Sequence, residues 1–152
     1  MSMLTTLIAH EHWANHRIVD AMVQSGGWDD RSRVLFDHIL GAHTAWLARI
    51  SGADPEVGVW HAALEPSTYP ARVDGYYEQW KRVLAFEDTE RAVAYTNVRG
   101  ARFTNTVGGI LLHVSMHGQY HRGQLIQQAR PRWDVAPSTD LIVFLRESGP
   151  AL

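Results

Sequence analysis

The chain contains no cysteine. With no thiol of its own it can form no disulfide and offer no thiolate nucleophile or ligand, so any metal must rest on imidazole, carboxylate or water. It also lacks an excess of either charge: 14 Lys and Arg stand against 16 Asp and Glu, a formal net charge of −2, and no run of like charge occurs. Nothing in that balance grips a phosphate backbone, so direct nucleic-acid binding is not expected. No stretch approaches the roughly 18 apolar residues of a membrane span. The opening "MSMLTTLIAHEHWANHR" has neither the basic start nor the uninterrupted apolar run of a signal peptide. The expectation is a cytoplasmic protein with no membrane partner. Internal repeats and low-complexity tracts are missing as well.

What is present is 152 residues at 45% hydrophobic, enough for one core, and a single domain over 1–152 is expected. Apolar residues at Leu4, Leu7, Ile8, Ala14, Ile18 and Met22 follow a helical period that Gly26 and Gly27 stop. A second helical stripe, Leu35, Ile39, Ala42, Trp46 and Ile50, runs from about Ser32 and ends at Ser51-Gly52. "SGADPEVGVWHAALEPSTYP" holds three prolines and two glycines with no sustained period, and reads as a long connection. "VDGYYEQWKRVLAFEDTERA" returns to a helix through Tyr76 or Tyr77, Trp80, Leu84 and Glu87. "AVAYTNVRGARFTN" suits a small hairpin or an extended crossover. Thr104 or Asn105 can then cap a fourth helix over Val107 to Ala129, broken by Pro131, and Ser138 or Thr139 can cap a short fifth. The fold class is all-α: a four-helix bundle with a long crossover, a short fifth helix and a small hairpin before helix four.

The chemistry concentrates in "LLHVSMHGQYHRGQL", where His113, His117 and His121 recur every four residues. A step of four turns a helix about 400°, so these side chains form one slowly drifting row, neighbours lying ~6 Å apart along the axis. Ile110, Val114, Gln124, Leu125 and Gln128 share the stripe, which puts the row on or beside the buried face. Two imidazoles at i and i+4 can grip one divalent ion, and a third from another helix completes the set more easily than one further along the row. His38 sits on the core-facing stripe of helix two, where an imidazole needs a partner, and His38, His117 and His121 are the candidate triad. The bland alternative stays open: an imidazole on an apolar stripe is usually a hydrogen-bonded core residue, and an H-x-x-x-H pair arises often by chance. His43 points about 140° away from His38. His10, His12 and His16 occupy several faces of helix one, consistent with packing or solvent exposure. His61 and Trp60 in the long connection are available as an extra ligand or a substrate contact. Trp13, Trp46, Trp80 and Trp133 read as core or interface anchors.

Taken in order, "EHWANHRIVDAM", "DHILGAHTAWLARISG", "YTNVRGARFTNTVGGILLHV", "HGQYHRGQL" and "STDLIVFLRE" cover nearly the whole chain. In that order the chain resembles the DinB-like family of bacterial proteins, named for a DNA-damage-inducible representative. The resemblance implies a four-helix bundle with a long crossover, a homodimer, and a divalent metal held by three histidines that match His38, His117 and His121. Met116 departs from the family pattern, in which many members carry Asn just before the second ligand. His113 matches a histidine common in one branch of the family and is expected to pack or to support a ligand.

Three neutral imidazoles leave coordination positions open, the arrangement of a catalytic site. Zinc or nickel is favoured, and iron or manganese also accept such ligands. Related enzymes act on low-molecular-weight thiols such as glutathione, mycothiol or bacillithiol, so the resemblance implies thiol activation for S-transfer or isomerisation of a small-molecule substrate. No side chain is assigned as catalytic. Arg122 and Gln124 are candidates for anchoring a substrate carboxylate or orienting a ligand, with a surface or dimer-contact role favoured for Arg122. The alternatives are a non-enzymatic stress-response bundle, and a metal-dependent hydrolase. Gly118 and Gln119 weaken the hydrolase reading, because they stand where an H-E-x-x-H motif supplies its Glu.

Overall fold

A computed structural model describes residues 2–55, 60 and 62–149. Helix α1 spans Met3–Gln24, its first turn capped by Ser2 Oγ, which accepts the Thr5 N–H. It stops at Gly26 and Gly27, both at φ 97°, where only glycine is unstrained, and the Gly27 N–H closes on the Met22 carbonyl at 2.8 Å. Helix α2, Asp30–Ile50, is capped by Asp29, whose carboxylate accepts the Ser32 N–H at 2.9 Å. Helix α3 spans Tyr69–Phe86 and begins four residues before the Val73 start that the apolar period suggests. A single 3-10 turn at Pro66–Thr68 leads into it, and Pro70 falls in the first turn, where a missing N–H breaks no helical bond. Glu87 lies just past its end and pairs with Arg91 at 2.7 Å.

Strands β1 (Ala92–Thr96) and β2 (Arg102–Thr106) form the expected hairpin, antiparallel with Ala92 opposite Thr106 and Thr96 opposite Arg102. Val93 turns inward to the core. Helix α4, Val107–Ala129, follows with no linker, and its cap is Thr106 rather than Thr104 or Asn105. The two expected caps are held in the β2 ladder, opposite Ala94 and Val93. Thr106 is the last extended residue, and its Oγ1 accepts the Gly109 N–H at 3.1 Å. Helix α5, Leu141–Ser148, starts after Asp140 without a side-chain cap, so neither Ser138 nor Thr139 plays that part. Thr139 is buried, and its carbonyl accepts the His10 Nε2–H at 2.8 Å. Phe144 then rests against His10 and Trp13, fastening α5 to α1. Among the described residues no helix is long and apolar enough to cross a membrane.

Helix α1 packs on α3 and α4, and α2 packs on the same two, so α1 and α2 stand diagonally across the bundle. The apolar interior falls into two clusters. One gathers Ile8, Trp46, Ile50, Trp80, Val107 and Leu111; the other gathers Ile18, Phe36, Leu40, Tyr69, Val73 and Leu125. Helices α2 and α3 both enter at the second cluster and leave at the first, so they run parallel. That direction dictates the connection over 51–68: the chain must return along roughly 30 Å of helix, within reach of an extended segment at about 3.3 Å per residue.

Between the clusters lies a polar layer. On α1, Glu11 and Asn15 fall between Ile8 and Ile18, and both are buried. Arg122 of α4, 0% exposed, donates to both Glu11 oxygens at 2.7 and 2.9 Å, to Asn15 Oδ1 at 2.9 Å and to Gln119 Oε1 at 3.2 Å. The structure therefore puts Arg122 inside the bundle, not at its surface, because a buried carboxylate waits for it on the adjacent helix. His43, expected to point away from His38, also turns into this layer: it accepts the Trp80 indole N–H on Nδ1 at 2.9 Å and sets Nε2 3.5 Å from Glu11. Because indole is a donor only, the neutral His43 carries its proton on Nε2, toward the carboxylate. Burial pushes the Glu11 carboxyl up, but Arg122 and His43 outweigh it and hold the group at about 2 against an ordinary 4.5.

Gly118 faces the same carboxylate. A Cβ placed there would collide with Glu11 Oε1, an oxygen that Arg122 prevents from swinging aside. Alanine normally improves a helix over glycine by up to about 1 kcal/mol. Gly118→Ala is nevertheless expected to lower stability by about 1–3 kcal/mol in urea unfolding, as overpacking does. Glu11→Ala strands a buried guanidinium and is expected to lower it by about 3–5 kcal/mol. Because the folded Glu11 holds its proton less tightly than the unfolded one, its stabilisation is complete above pH 4.5 and fades as pH falls toward about 2. The urea midpoint of the wild type should fall through that window more steeply than that of Glu11→Gln.

Candidate metal centre

The seam between α2 and α4 brings together the histidines singled out by their spacing. His117 and His121 lie one turn apart on α4, and His38 reaches them from α2. The His117 and His38 Nε2 atoms are 3.2 Å apart, and one ligand atom from each of the three residues lies within 4.8 Å of the others. Ring centroids are 4.9 Å apart for His38 and His117, 4.7 Å for His38 and His121, and 4.5 Å for His117 and His121. All three side chains are partly buried.

The outer nitrogens decide which way the lone pairs point. His38 Nδ1 donates to the Trp60 backbone carbonyl at 2.9 Å, and His121 Nδ1 donates to Gln124 Oε1 at 2.7 Å. An N–H on Nδ1 makes Nε2 the ligating atom of such a ring, the arrangement that usually orients metal-bound histidine. His117 Nδ1 is buried with no hydrogen-bond partner among the described residues, so its ring is held by packing and by what its Nε2 meets. Ligand nitrogens about 2.05 Å from a tetrahedral ion lie roughly 3.3 Å apart. The 3.2 Å between His117 and His38 fits that value, and the His121 ligand atom lies within 4.8 Å of both, close enough for side-chain torsions to bring all three onto one divalent ion.

Protonation does not compete near neutral pH. Burial, together with His121 and His38, pushes the His117 imidazole down to about 4. Burial also lowers His121, against the opposing hydrogen bond that its Nδ1–H donates to Gln124. Both rings are therefore neutral at pH 7, the state in which imidazole ligates.

Other singled-out residues divide by location. His113, one turn before His117, presents its ring to the edge of Trp46 at 5.4 Å and lies 5.5 Å from His117. Trp60 supplies the carbonyl to His38 and sets its indole 6.2 Å from that ring and 6.3 Å from Trp46. Arg122 is buried in the polar layer, with both terminal nitrogens bonded there, and offers no surface to a substrate. His61 lies outside the described residues.

Sequence reasoning missed two features of the surroundings. Arg49 lies over Trp46 at 4.5 Å, Tyr95 at 4.6 Å and Trp60 at 5.5 Å, a cation enclosed by the aromatic wall. Its position in the last turn of α2 reads as an ordinary C-terminal basic residue, and no local pattern marks its burial. The second is a group formed by His12, His16 and Asp74 on the opposite side of the bundle. The i and i+4 spacing of its histidines was visible, but the carboxylate comes from another helix.

A search of curated proteins and a search of solved structures each returned no match to this chain. A family model described as "DinB family" matches residues 31–148, a span that runs from the first turn of α2 through α5 and includes His38, His117 and His121. With more than three quarters of its length matched, and the helical bundle, hairpin and histidine group in place, the chain belongs to the DinB family.

Proposed function

We propose that this protein is a metal-dependent enzyme that activates a low-molecular-weight thiol for S-transfer or isomerisation. One observation carries the reading: three imidazoles, two of them held neutral by their surroundings, converge from two helices at a partly buried position that no carboxylate among the described residues shares. His38, His117 and His121 would hold a zinc or nickel ion, with iron and manganese as alternatives. When bound, such an ion supplies Lewis acidity, lowering the pKa of a coordinated thiol to give a nucleophile at neutral pH.

The chain's own groups take the remaining parts. Gln124 and the Trp60 carbonyl fix the rings of His121 and His38. His113, Trp46 and Trp60 form an aromatic flank beside the ligands, suited to an apolar electrophile. Without a cysteine the nucleophile must come from a cosubstrate. A hydrolase would need a carboxylate base at the ion. Gly118 and Gln119 occupy that place in the sequence, and Glu11, the carboxylate packed against this turn, is engaged by Arg122.

The same reading includes a homodimer. Leu112, Met116 and Tyr120, at four-residue spacing on α4, are 44%, 66% and 64% exposed, and a second copy covering this stripe would shield it from water. Met116→Glu is expected to shift sedimentation velocity from dimer to monomer with the helical circular dichroism unchanged.

The thiol reading is tested with protein loaded with zinc or nickel, glutathione, mycothiol or bacillithiol, and monochlorobimane as electrophile. Turnover above the uncatalysed rate is expected with at least one thiol. His117→Ala should abolish it, and Gln124→Ala should reduce it roughly 10–100-fold, as loss of a group that orients a metal ligand does. Absence of turnover with every thiol and both metals would support a non-enzymatic metal-binding bundle instead.

A further inference from the structure

The seam opposite the candidate centre, between α1 and α3, carries a second constellation. His12 and His16 stand one turn apart on α1, and each places Nε2 2.8 Å from the same atom, Asp74 Oδ1 on α3. The two imidazoles are 4.7 Å apart between centroids. His12 is further fixed by stacking on Tyr77 at 4.4 Å and 24°. The histidine side chains are 29% and 28% exposed and Asp74 is 60% exposed, so solvent can reach the group.

The layout repeats that of the first group. There an i, i+4 histidine pair on α4 meets one ligand from α2; here an i, i+4 pair on α1 meets one ligand from α3. The seams share no helix, so each group is built independently. The donor set differs in charge: three neutral imidazoles on one side, two imidazoles and a carboxylate on the other. Ligand atoms about 2.1 Å from an ion and at right angles lie roughly 3.0 Å apart, and those at a tetrahedral angle roughly 3.4 Å apart. The 2.8 Å from Asp74 Oδ1 to each Nε2 is a few tenths of an ångström short of coordination, and the three ligand atoms all lie within 4.8 Å of one another, so side-chain torsions on partly exposed residues can bring them onto one ion.

We propose that His12, His16 and Asp74 form a second, solvent-facing site for a divalent transition ion of the zinc, cobalt or nickel class, bound by two imidazole nitrogens and one carboxylate oxygen, with water completing the shell. In the metal-free chain both Nε2–H groups donate to Asp74 Oδ1. On binding, each neutral ring transfers its N–H from Nε2 to Nδ1, the Nε2 lone pairs ligate, and the ionised carboxylate ligates without losing a proton. The carboxylate reduces the charge of the bound ion and favours retention, while exposure makes exchange faster than at the α2–α4 seam.

The test is zinc stoichiometry by equilibrium dialysis and elemental analysis, joined to long-range proton–nitrogen correlation spectra of the imidazoles, on the full chain. Wild type should take up two equivalents. His16→Ala and Asp74→Ala should each take up one, and His117→Ala should also take up one, now held on α1 and α3. The His12 and His16 resonances should change from the Nε2–H to the Nδ1–H form as the second equivalent binds, in both wild type and His117→Ala. A single equivalent in wild type with the Nε2–H form retained at saturating zinc would overturn the proposal. So would a second equivalent that survives both His16→Ala and Asp74→Ala. Because these substitutions lie outside the α2–α4 seam, loss of the second equivalent leaves the thiol reading untouched, and failure of thiol turnover leaves this site standing.

Discussion

The ion pair between Glu11 and Arg122 fixes the middle of this bundle. A buried guanidinium and a buried carboxylate each demand a partner, and here the demand is met across the contact between α1 and α4 with both Glu11 oxygens engaged. That pairing sets the rotation of α4. With Arg122 committed to α1, His121 beside it and His117 one turn earlier turn toward α2, where His38 is waiting. Gly118 is the counterpart of the same contact: the carboxylate crosses the helix where a side chain would otherwise stand. In "HGQYHRGQL", then, His117 and His121 face the ligand position, Gly118 and Arg122 face Glu11, Gln119 adds a hydrogen bond to Arg122, and Gln124 turns back to orient His121.

The crossover joins topology to chemistry. Parallel α2 and α3 require a long return, and that return passes the histidine group closely enough for the Trp60 carbonyl to accept a hydrogen bond from the His38 Nδ1–H. A more economical up-and-down connection would remove the segment and the contact together. Long connections in small domains are often functional for this reason: having been required by the path of the chain, they lie where a site can use them.

Much of this was legible in the sequence, and the illegible parts share a cause. Helical periods and the glycine stops located four long helices, and the i, i+4 spacing with an apolar stripe brought out His38, His117 and His121, because both signals are local. The cap of α4 was misplaced because Thr104, Asn105 and Thr106 are all competent, and only the length of β2 chooses among them. The start of α3 hid behind Pro70, which marks a helix's first turn as readily as a loop. Arg122 looked like a surface residue because its partner lies 111 positions away. His12 and His16 looked scattered because Asp74, 62 and 58 positions off, is what gives them a common direction. Charge partners distant in the chain leave no periodic trace, whereas apolar stripes do.

The contact between Trp60 and His38 uses a backbone oxygen, and every amino acid carries one. Orientation of that imidazole is consequently independent of which side chain stands at position 60, so the crossover is free to exchange its indole for another group while His38 stays aimed. The indole shapes the flank of the site, and the carbonyl aims the imidazole. A point substitution at position 60 would reshape that flank, whereas an insertion or deletion in the crossover would displace the carbonyl itself and disturb the His38 imidazole.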